Sequence, residues 1–341
     1  MTTTAEFLTL PVEEQLDLAT RAARAALPRY ALPADAVLDV LKHRENTVFA
    51  VRDAAGRALA ALRVHVPGYQ DQTSIESELD WMRALASAGV RPPEVVPTRD
   101  GARVIAVAIP GTDDTRLVDA LEWLDGREPG GDELVDCFRT LGELHARCHA
   151  HAARWQVPAG FRRQRWDEST LLAGVHPVVA PAWENWALDA AQRELVLAGR
   201  DALATRLAAW GKDRERYGLI HSDLMPDNLL LTADGVRIID FDDAGFGWYL
   251  YDPASALLLY YGSDLYDPLL ASWREGYRAI RPLADADVAE LPTFLLLRCF
   301  YALGWLHLRR NSPWAEAFNG PVIQATVALG TEALRRARLQ V

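Results

Sequence analysis

Six aspartates crowd into residues 223–243 of this chain, against a single basic residue, Arg237. They lie within GLIHSDLMPDNLLLTADGVRIIDFDDAGFGWYLYDPA, residues 218–254. A solvated acidic run is the simplest reading. The acids, however, are embedded between two apolar segments, Leu229–Leu231 and Val236–Ile239, so several carboxylates must sit at strand ends beside a core. Buried charges are paired or coordinate something.

The spacing His221, Asp223, Asn228 and then Asp240 puts a carboxylate on a loop and an amide oxygen five residues further on. A second carboxylate follows a turn at Ala233–Gly235 that brings the chain back. Phosphoryl transfer requires a base that positions the acceptor, and metal ions whose oxygen ligands bridge the nucleotide phosphates. Magnesium, a hard ion, prefers carboxylate and amide oxygens. The set reads as a catalytic loop with its metal site.

The elements that must position these residues follow from periodicity. Residues 12–27 have a helical stripe of Leu16, Leu18, Ala19, Ala22, Ala23 and Ala26, closed by Pro28. Residues 36–41, 47–52 and 58–65 are strand-like, with a turn at 53–57, and 103–109 and 116–123 return to strand. Between them, 73–88 is helical and ends at Gly89. From Gly131 the pattern is mostly helical, over 133–152, 188–209, 253–261, 267–277, 285–309 and 322–339, interrupted by the β segment 218–240. Residues 162–183 are irregular and read as a surface excursion. The plan is α+β, with a sheet-rich front lobe over 1–124, a hinge near 121–126 and a helical back lobe over 125–341.

HSDLMPDNLL and IIDFDDA closely resemble the aminoglycoside phosphotransferase and choline kinase family, whose loop reads His-x-Asp-x-x-x-x-Asn and whose metal aspartate follows a hairpin. The resemblance covers residues about 40 to 310 and includes homoserine-type kinases. RVHVPGY and IDFDDAGFG look like the bacterial stress-response kinase branch. It implies a bilobal protein kinase-like fold, with a small antiparallel-sheet N-lobe and a larger helical C-lobe. It also implies an enzyme using ATP and Mg2+, in which Asp223 deprotonates the acceptor hydroxyl, Asn228 and Asp240 hold the metal, and His221 braces the loop. Asp242 is a further metal candidate, with substrate contact or capping of the next turn as alternatives. Asp227 is expected to face solvent or cap locally. Asp252, ahead of Pro253, suits an N-cap, and the resemblance adds that it braces the catalytic loop from below.

In the front lobe the resemblance places Arg63 where most kinases have Lys, with Glu78 as its helix partner. Arg can grip phosphate or carboxylate bidentately, so the exchange is workable. LKHRENTVFAV carries no glycine where a glycine-rich loop would lie, and Asn46 stands at the polar position the family often has there. Adenine is expected at the hinge backbone, Glu122 to Leu124.

Composition bounds the rest. A formal net charge of -11 argues against nucleic acid or anionic membrane partners and leaves cationic substrates welcome. Cys137, Cys148 and Cys299 form no CxxC pair and read as buried thiols in a cytoplasmic protein. No signal peptide or membrane-spanning stretch is evident. His145, His149 and His151 lack a metal-binding pattern, and Trp273, Glu275, Tyr277, Trp305 and His307 lie where acceptors bind in such kinases, although such aromatics are more often core. The acceptor expected is a small-molecule hydroxyl, as in an amino alcohol, aminoglycoside or sugar. A protein serine or threonine is the alternative, and a nucleotide-binding pseudokinase the non-enzyme reading.

Overall fold

The computed structural model describes residues 4–44 and 46–339. Glu45, within the glycine-free segment, lies outside them. A short helix α1 (Thr4–Thr9) leads into α2 (Val12–Ala26), whose buried Ala19, Ala22, Ala23 and Ala26 form a small-residue face. That face lets α2 lie close on a five-stranded sheet and share its core with Phe49, Val51, Leu62 and Val64. The strands are β1 (Val37–His43), β2 (Asn46–Arg52), β3 (Ala58–His65), β4 (Val104–Ala108) and β5 (Thr115–Glu122), in the order β1-β2-β3-β5-β4 and antiparallel throughout. Asp53 closes the turn into β3, its Oδ1 accepting from the backbone of Ala55 and Arg57 while Gly56 takes the positive φ of 82°.

Between β3 and β4 runs α3 (Gln72–Leu85), started by the Asp71 carboxylate accepting from Ser74 N at 2.8 Å. It buries Ile75, Leu79, Met82 and Leu85, as the helical spacing predicts, and also Glu78. A short 3-10 turn and Gly89, at φ 73°, end it.

The back of the molecule is built from α4 (Leu134–Ala152), α5 (Ala190–Trp210), α6 (Tyr251–Leu257), α7 (Tyr266–Ile280), α8 (Asp285–Val288), α9 (Leu291–Leu308) and α10 (Pro313–Leu339). Two small sheets are set into it. β6 (Gly126–Arg127) pairs with the hairpin of β9 (Leu229–Thr232) and β10 (Gly235–Ile238), while β7 (Arg165–Trp166), β11 (Gly245–Trp248) and β8 (Tyr217–Ile220) form the other. Each acidic residue of interest falls between these strands: Asp223 and Asn228 between β8 and β9, Asp240, Asp242 and Asp243 between β10 and β11. This is the bilobal kinase-like architecture.

Several elements differ from the sequence-based expectation. The helix expected over 285–309 is broken into α8 and α9, and α10 begins at Pro313 and carries Pro321 inside it. Proline is a poor guide there because the helix is held by packing against α5 and α9. β11 goes unread because Gly245-Phe-Gly-Trp248 has little strand character alone and is stabilised by pairing with β8. Residues 162–183 are not a surface excursion: Trp166, Leu171, Leu172, Val178 and Val179 are buried in the main core. An irregular backbone hid an apolar segment. The cysteines are buried and free, with burial pushing the Cys137 and Cys299 thiols up to about 12.

Among the described residues, Asp285–Leu308 is the one helical stretch whose length and mean hydropathy, 1.3, would allow it to cross a membrane. It is a core element here: α9 packs against α5, α6 and α10, and two-thirds of its apolar window is buried.

α4 and α7 cross at a glycine contact. A Cβ at Gly142 would collide with Trp273 O, and one at Gly276 with Arg139 O. Backbone cannot yield as a flexible side chain does, so Gly276→Ala is expected to cost about 1–3 kcal/mol through forced separation of the two helices. A chemical denaturation midpoint unchanged in that variant would show that the crossing tolerates the methyl group.

Candidate active site

The loop after β8 hangs from one buried carboxylate. Asp252, fully buried, accepts from the backbone N–H of Ser222 at 2.6 Å and of His221 at 3.3 Å, and its Oδ2 lies 2.8 Å from His149 Nε2. It does not cap its helix: it is the second residue of α6, whose N-cap position is Leu250. Ser222 needs this support because it sits at φ 68°, a left-handed conformation costing about 1–3 kcal/mol for a residue with a Cβ. His221 packs its ring on Phe241, 4.5 Å between centroids. Asp252 stays ionised despite its burial: desolvation raises its carboxyl, but its three histidine neighbours and the His149 hydrogen bond outweigh that and bring it down to about 2.

The loop then presents Asp223 with both oxygens directed. Arg298 of α9 donates to Oδ1 at 2.9 Å, and Asn228 Nδ2 lies 2.7 Å from Asp223 O and 3.3 Å from Oδ2. Arg298 is itself buried and braced, with Tyr301 4.1 Å from its guanidinium and Tyr251 OH 3.4 Å away. With its amide nitrogen turned to Asp223, Asn228 leaves Oδ1 buried and without a hydrogen-bond partner.

At the other side of the cleft Asp240 occupies a second left-handed position, φ 66°. Lys42 Nζ approaches its Oδ2 at 2.5 Å; burial pushes the Asp240 carboxyl up, but the lysine outweighs it and holds the group below its usual range. Asp242 is buried, and both its oxygens lack a hydrogen-bond partner. Asp243 accepts from Tyr69 OH at 2.5 Å. Three orphaned oxygens, one amide and two carboxylate, beside an ionised Asp240 are a donor set suited to a hard divalent cation. Among the described residues no His, Cys, Asp and Glu cluster forms a full metal cage, as is usual for magnesium, which takes few protein ligands.

Arg63 and Glu78 are brought together at 2.7 Å, but the arginine serves a second carboxylate that sequence reasoning missed. Asp119, directly opposite Arg63 in the β3–β5 register, accepts from its Nε and second terminal nitrogen at 2.9 and 2.5 Å. His65, two residues along the same face, lies 3.4 Å from Asp119 and 3.7 Å from Asp242. Burial would discharge it, yet the attraction of these carboxylates raises it to about 9. Asn46 lines the same cleft, with Oδ1 accepting from Val66 N at 3.3 Å. At the hinge, the Glu122 carboxylate takes Arg237 at 2.8 Å, and its N–H donates to Glu94 O at 2.7 Å.

Lys42 and Arg298 were the functional cations missed. Lys42 lies beyond the strand read at 36–41, and a bulge between Val40 and Lys42 re-aims it. Arg298 had a visible signal: it is the one charge in FLLLRCFYALGWL, and a charge in an apolar helix needs a partner. The remaining histidines are structural. His149 serves Asp252 and Tyr277, and His145 Nδ1 accepts from Trp273 Nε1 at 3.0 Å. Trp273 and Tyr277 are core, Glu275 pairs with Arg139 on the surface, and Trp305 borders the acceptor cavity.

That cavity, about 470 Å³, opens from Asp223 and Arg298 toward Tyr260, Trp305, Trp314 and Phe318, with Glu128 and Asp227 at its polar edge. A kinase-like fold in which one aspartate lines both a carboxylate-rich cleft and this aromatic-walled cavity is the arrangement of a phosphotransferase. The chain belongs to the phosphotransferase enzyme family, whose model matches residues 38–283. It is similar to a solved microcompartment-associated aminopropanol kinase, 36% identical with a TM-score of 0.80, over 93% of this chain and 97% of that one. An amicoumacin kinase in complex with AMP-PNP, Ca2+ and amicoumacin shares the fold at 24% identity and TM-score 0.74, covering 96% of each chain. A homoserine kinase of Methylobacterium radiotolerans is 30% identical over 219 residues, 62% of each protein. Membership of an enzyme family sets aside the pseudokinase reading.

Burial pushes His145 down to about 3 and His176 to about 4. Below pH 6.5 the unfolded chain protonates these imidazoles while the folded chain does not, so stability falls with pH through that window. The depressed Asp252 adds its own loss below about pH 4. Thermal melts from pH 7.5 to 4 should show a falling Tm that His176→Phe partly flattens; a Tm independent of pH over 6.5–4 would contradict the burial assignment.

Proposed function

We propose that this protein transfers the γ-phosphoryl group of ATP to the hydroxyl of a small, amine-bearing alcohol. The observation that carries the reading is the position of Asp223, which borders both the polar cleft of Lys42, Asp240 and Asp242 and the aromatic cavity. An acceptor hydroxyl at Asp223 gives up its proton to the carboxylate, whose orientation Arg298 and Asn228 fix. Asn228, Asp240 and Asp242 are the residues that would hold magnesium; when bound, the ion would neutralise charge on the phosphates. Lys42, Arg63, Glu78 and Asn46 shape the phosphate end. With the Glu122 N–H already bonded, adenine recognition falls to the backbone beyond it, toward Leu124. We place the division between nucleotide and acceptor lobes at residues 124–125.

An amine-bearing acceptor is favoured by the cavity's chemistry. Glu128 and Asp227 supply negative charge at its rim, and Tyr260, Trp305 and Trp314 supply aromatic faces that accept an ammonium group. Similarity to the aminopropanol kinase supports the same class.

The test is an ADP-release assay with ATP, Mg2+ and 1-amino-2-propanol or homoserine, against 2-propanol, with the phosphate ester read by 31P NMR. Turnover should depend on the amine and vanish with EDTA. Asp223→Asn should lower kcat by about 10²–10⁴-fold, the usual worth of a general base. Ester formation undiminished in that variant would remove Asp223 from the chemistry, and labelling of protein serine in place of any small alcohol would replace the acceptor class.

A further inference from the structure

We infer that Arg44 is a catalytic residue whose guanidinium stabilises the phosphoryl group in transit between nucleotide and acceptor. The inference rests on the phosphotransfer reading above and adds a residue to it. Among the described residues, three border both the metal cleft and the acceptor cavity: Arg44, Asp223 and Asp243. Asp223 is the proposed base, and Asp243 is held by Tyr69. Arg44 is the cation at the junction.

The neighbouring cations are committed elsewhere. Lys42 is on Asp240 at 2.5 Å, Arg63 is bonded to Asp119 and Glu78, and Arg298 is on Asp223 at 2.9 Å. Arg44, by contrast, is held loosely. Its nearest carboxylate, Asp227, is 4.0 Å away and partly exposed, and its guanidinium rests 4.6 Å from the Trp314 ring centroid. Contacts of these kinds are each weaker than a charge-assisted bidentate bond to phosphate.

Position and chemistry agree. Arg44 follows β1 directly, with its backbone N–H bonded to Asn46 O at 3.1 Å, so a front-lobe turn presents it to Asp227 of the catalytic loop and Trp314 of α10 in the back lobe. In the step itself the acceptor oxygen forms a bond to the γ-phosphorus as the bond to the bridging oxygen of ADP breaks. The acceptor proton goes to Asp223, and ADP leaves with the electron pair. Midway, charge is spread over the three equatorial phosphoryl oxygens, in surroundings where Asp223, Asp227, Asp240, Asp242 and Asp243 are all acidic. A guanidinium that exchanges Trp314 for those oxygens offsets that repulsion without itself losing a proton.

Arg44→Ala should lower kcat about 100-fold or more, with the KM for ATP within about threefold, and free guanidinium ion should restore part of the loss. Arg44→Lys should remain well below wild type, since an ammonium cannot bind two oxygens in one plane. A second measurement needs no acceptor: binding of Mg2+, ADP and aluminium fluoride, a mimic of the phosphoryl group in flight, should weaken at least about tenfold in Arg44→Ala while binding of ADP alone is unchanged. The inference is overturned by kcat within about threefold of wild type, by a loss confined to the KM for 1-amino-2-propanol, or by equal weakening of ADP with and without the fluoride. Should wild type transfer phosphate to no alcohol, the proposed function falls, and the fluoride measurement still decides the role of Arg44.

Discussion

Concentrated buried negative charge is the constraint on which this structure depends. Glu78, Asp119 and Asp252 are fully buried, and Asp242 and Asp243 nearly so. None could remain ionised there without a dedicated partner, because the desolvation of a lone carboxylate costs several kcal/mol. All but Asp242 therefore recruit a side chain from another element. Asp119 and Glu78 tie β5 and α3 to Arg63 of β3, and Asp252 ties α6 to His149 of α4 and to the loop after β8. Arg163 adds the irregular segment to the network, lying 3.5 Å from Glu78 and donating to the carbonyls of Ala244 and Phe241. The partnering stops at Asp242 and Asn228, whose oxygens face the cleft without hydrogen-bond partners. An architecture that satisfies its other carboxylates with its own side chains leaves there the oxygens a cation would take.

Rigid elements convert this charge scheme into geometry. β8, β9, β10 and β11 are short, but β8 and β10 end just before the residues of the cleft and β9 and β11 begin just after them, and the left-handed backbone at Ser222 and Asp240 turns the chain sharply at both places. Such conformations persist only where the surroundings over-determine them. At Ser222 the surroundings are identifiable: an N–H held by Asp252, a carboxylate that is in turn held by His149. Across the cleft, α9 carries Arg298 to Asp223 from a largely apolar helix, so the carboxylate is oriented from the core and not from a loop.

The front lobe departs from the usual kinase arrangement in a way that is physically coherent. An arginine at position 63 has enough donors to bind Asp119 bidentately and Glu78 at once, which a lysine ammonium could not do in one plane. The position becomes a junction of strand, strand and helix. Positive charge nearest Asp240 comes instead from Lys42, on the neighbouring strand pair.

Much of the site was legible because its chemistry is local. The spacing of His221, Asp223, Asn228 and Asp240, the apolar runs of β9 and β10, and the Ala233–Gly235 turn lie within one stretch, and period and turn chemistry determine a hairpin that returns one carboxylate toward another. Helices with a clean stripe, α2, α3 and α4, were legible for the same reason. Tertiary structure alone decided what depends on distant partners: the pairing of Arg63 with Asp119, 56 residues away, of Arg298 with Asp223, 75 away, and of Lys42 with Asp240, 198 away. It likewise decided that Asp252, which holds the loop as the resemblance implied, caps nothing, and that residues 162–183 run through the core. A sequence displays which groups carry charge and which local conformations they favour; which charge neutralises which is settled only by the dielectric and distances that packing creates.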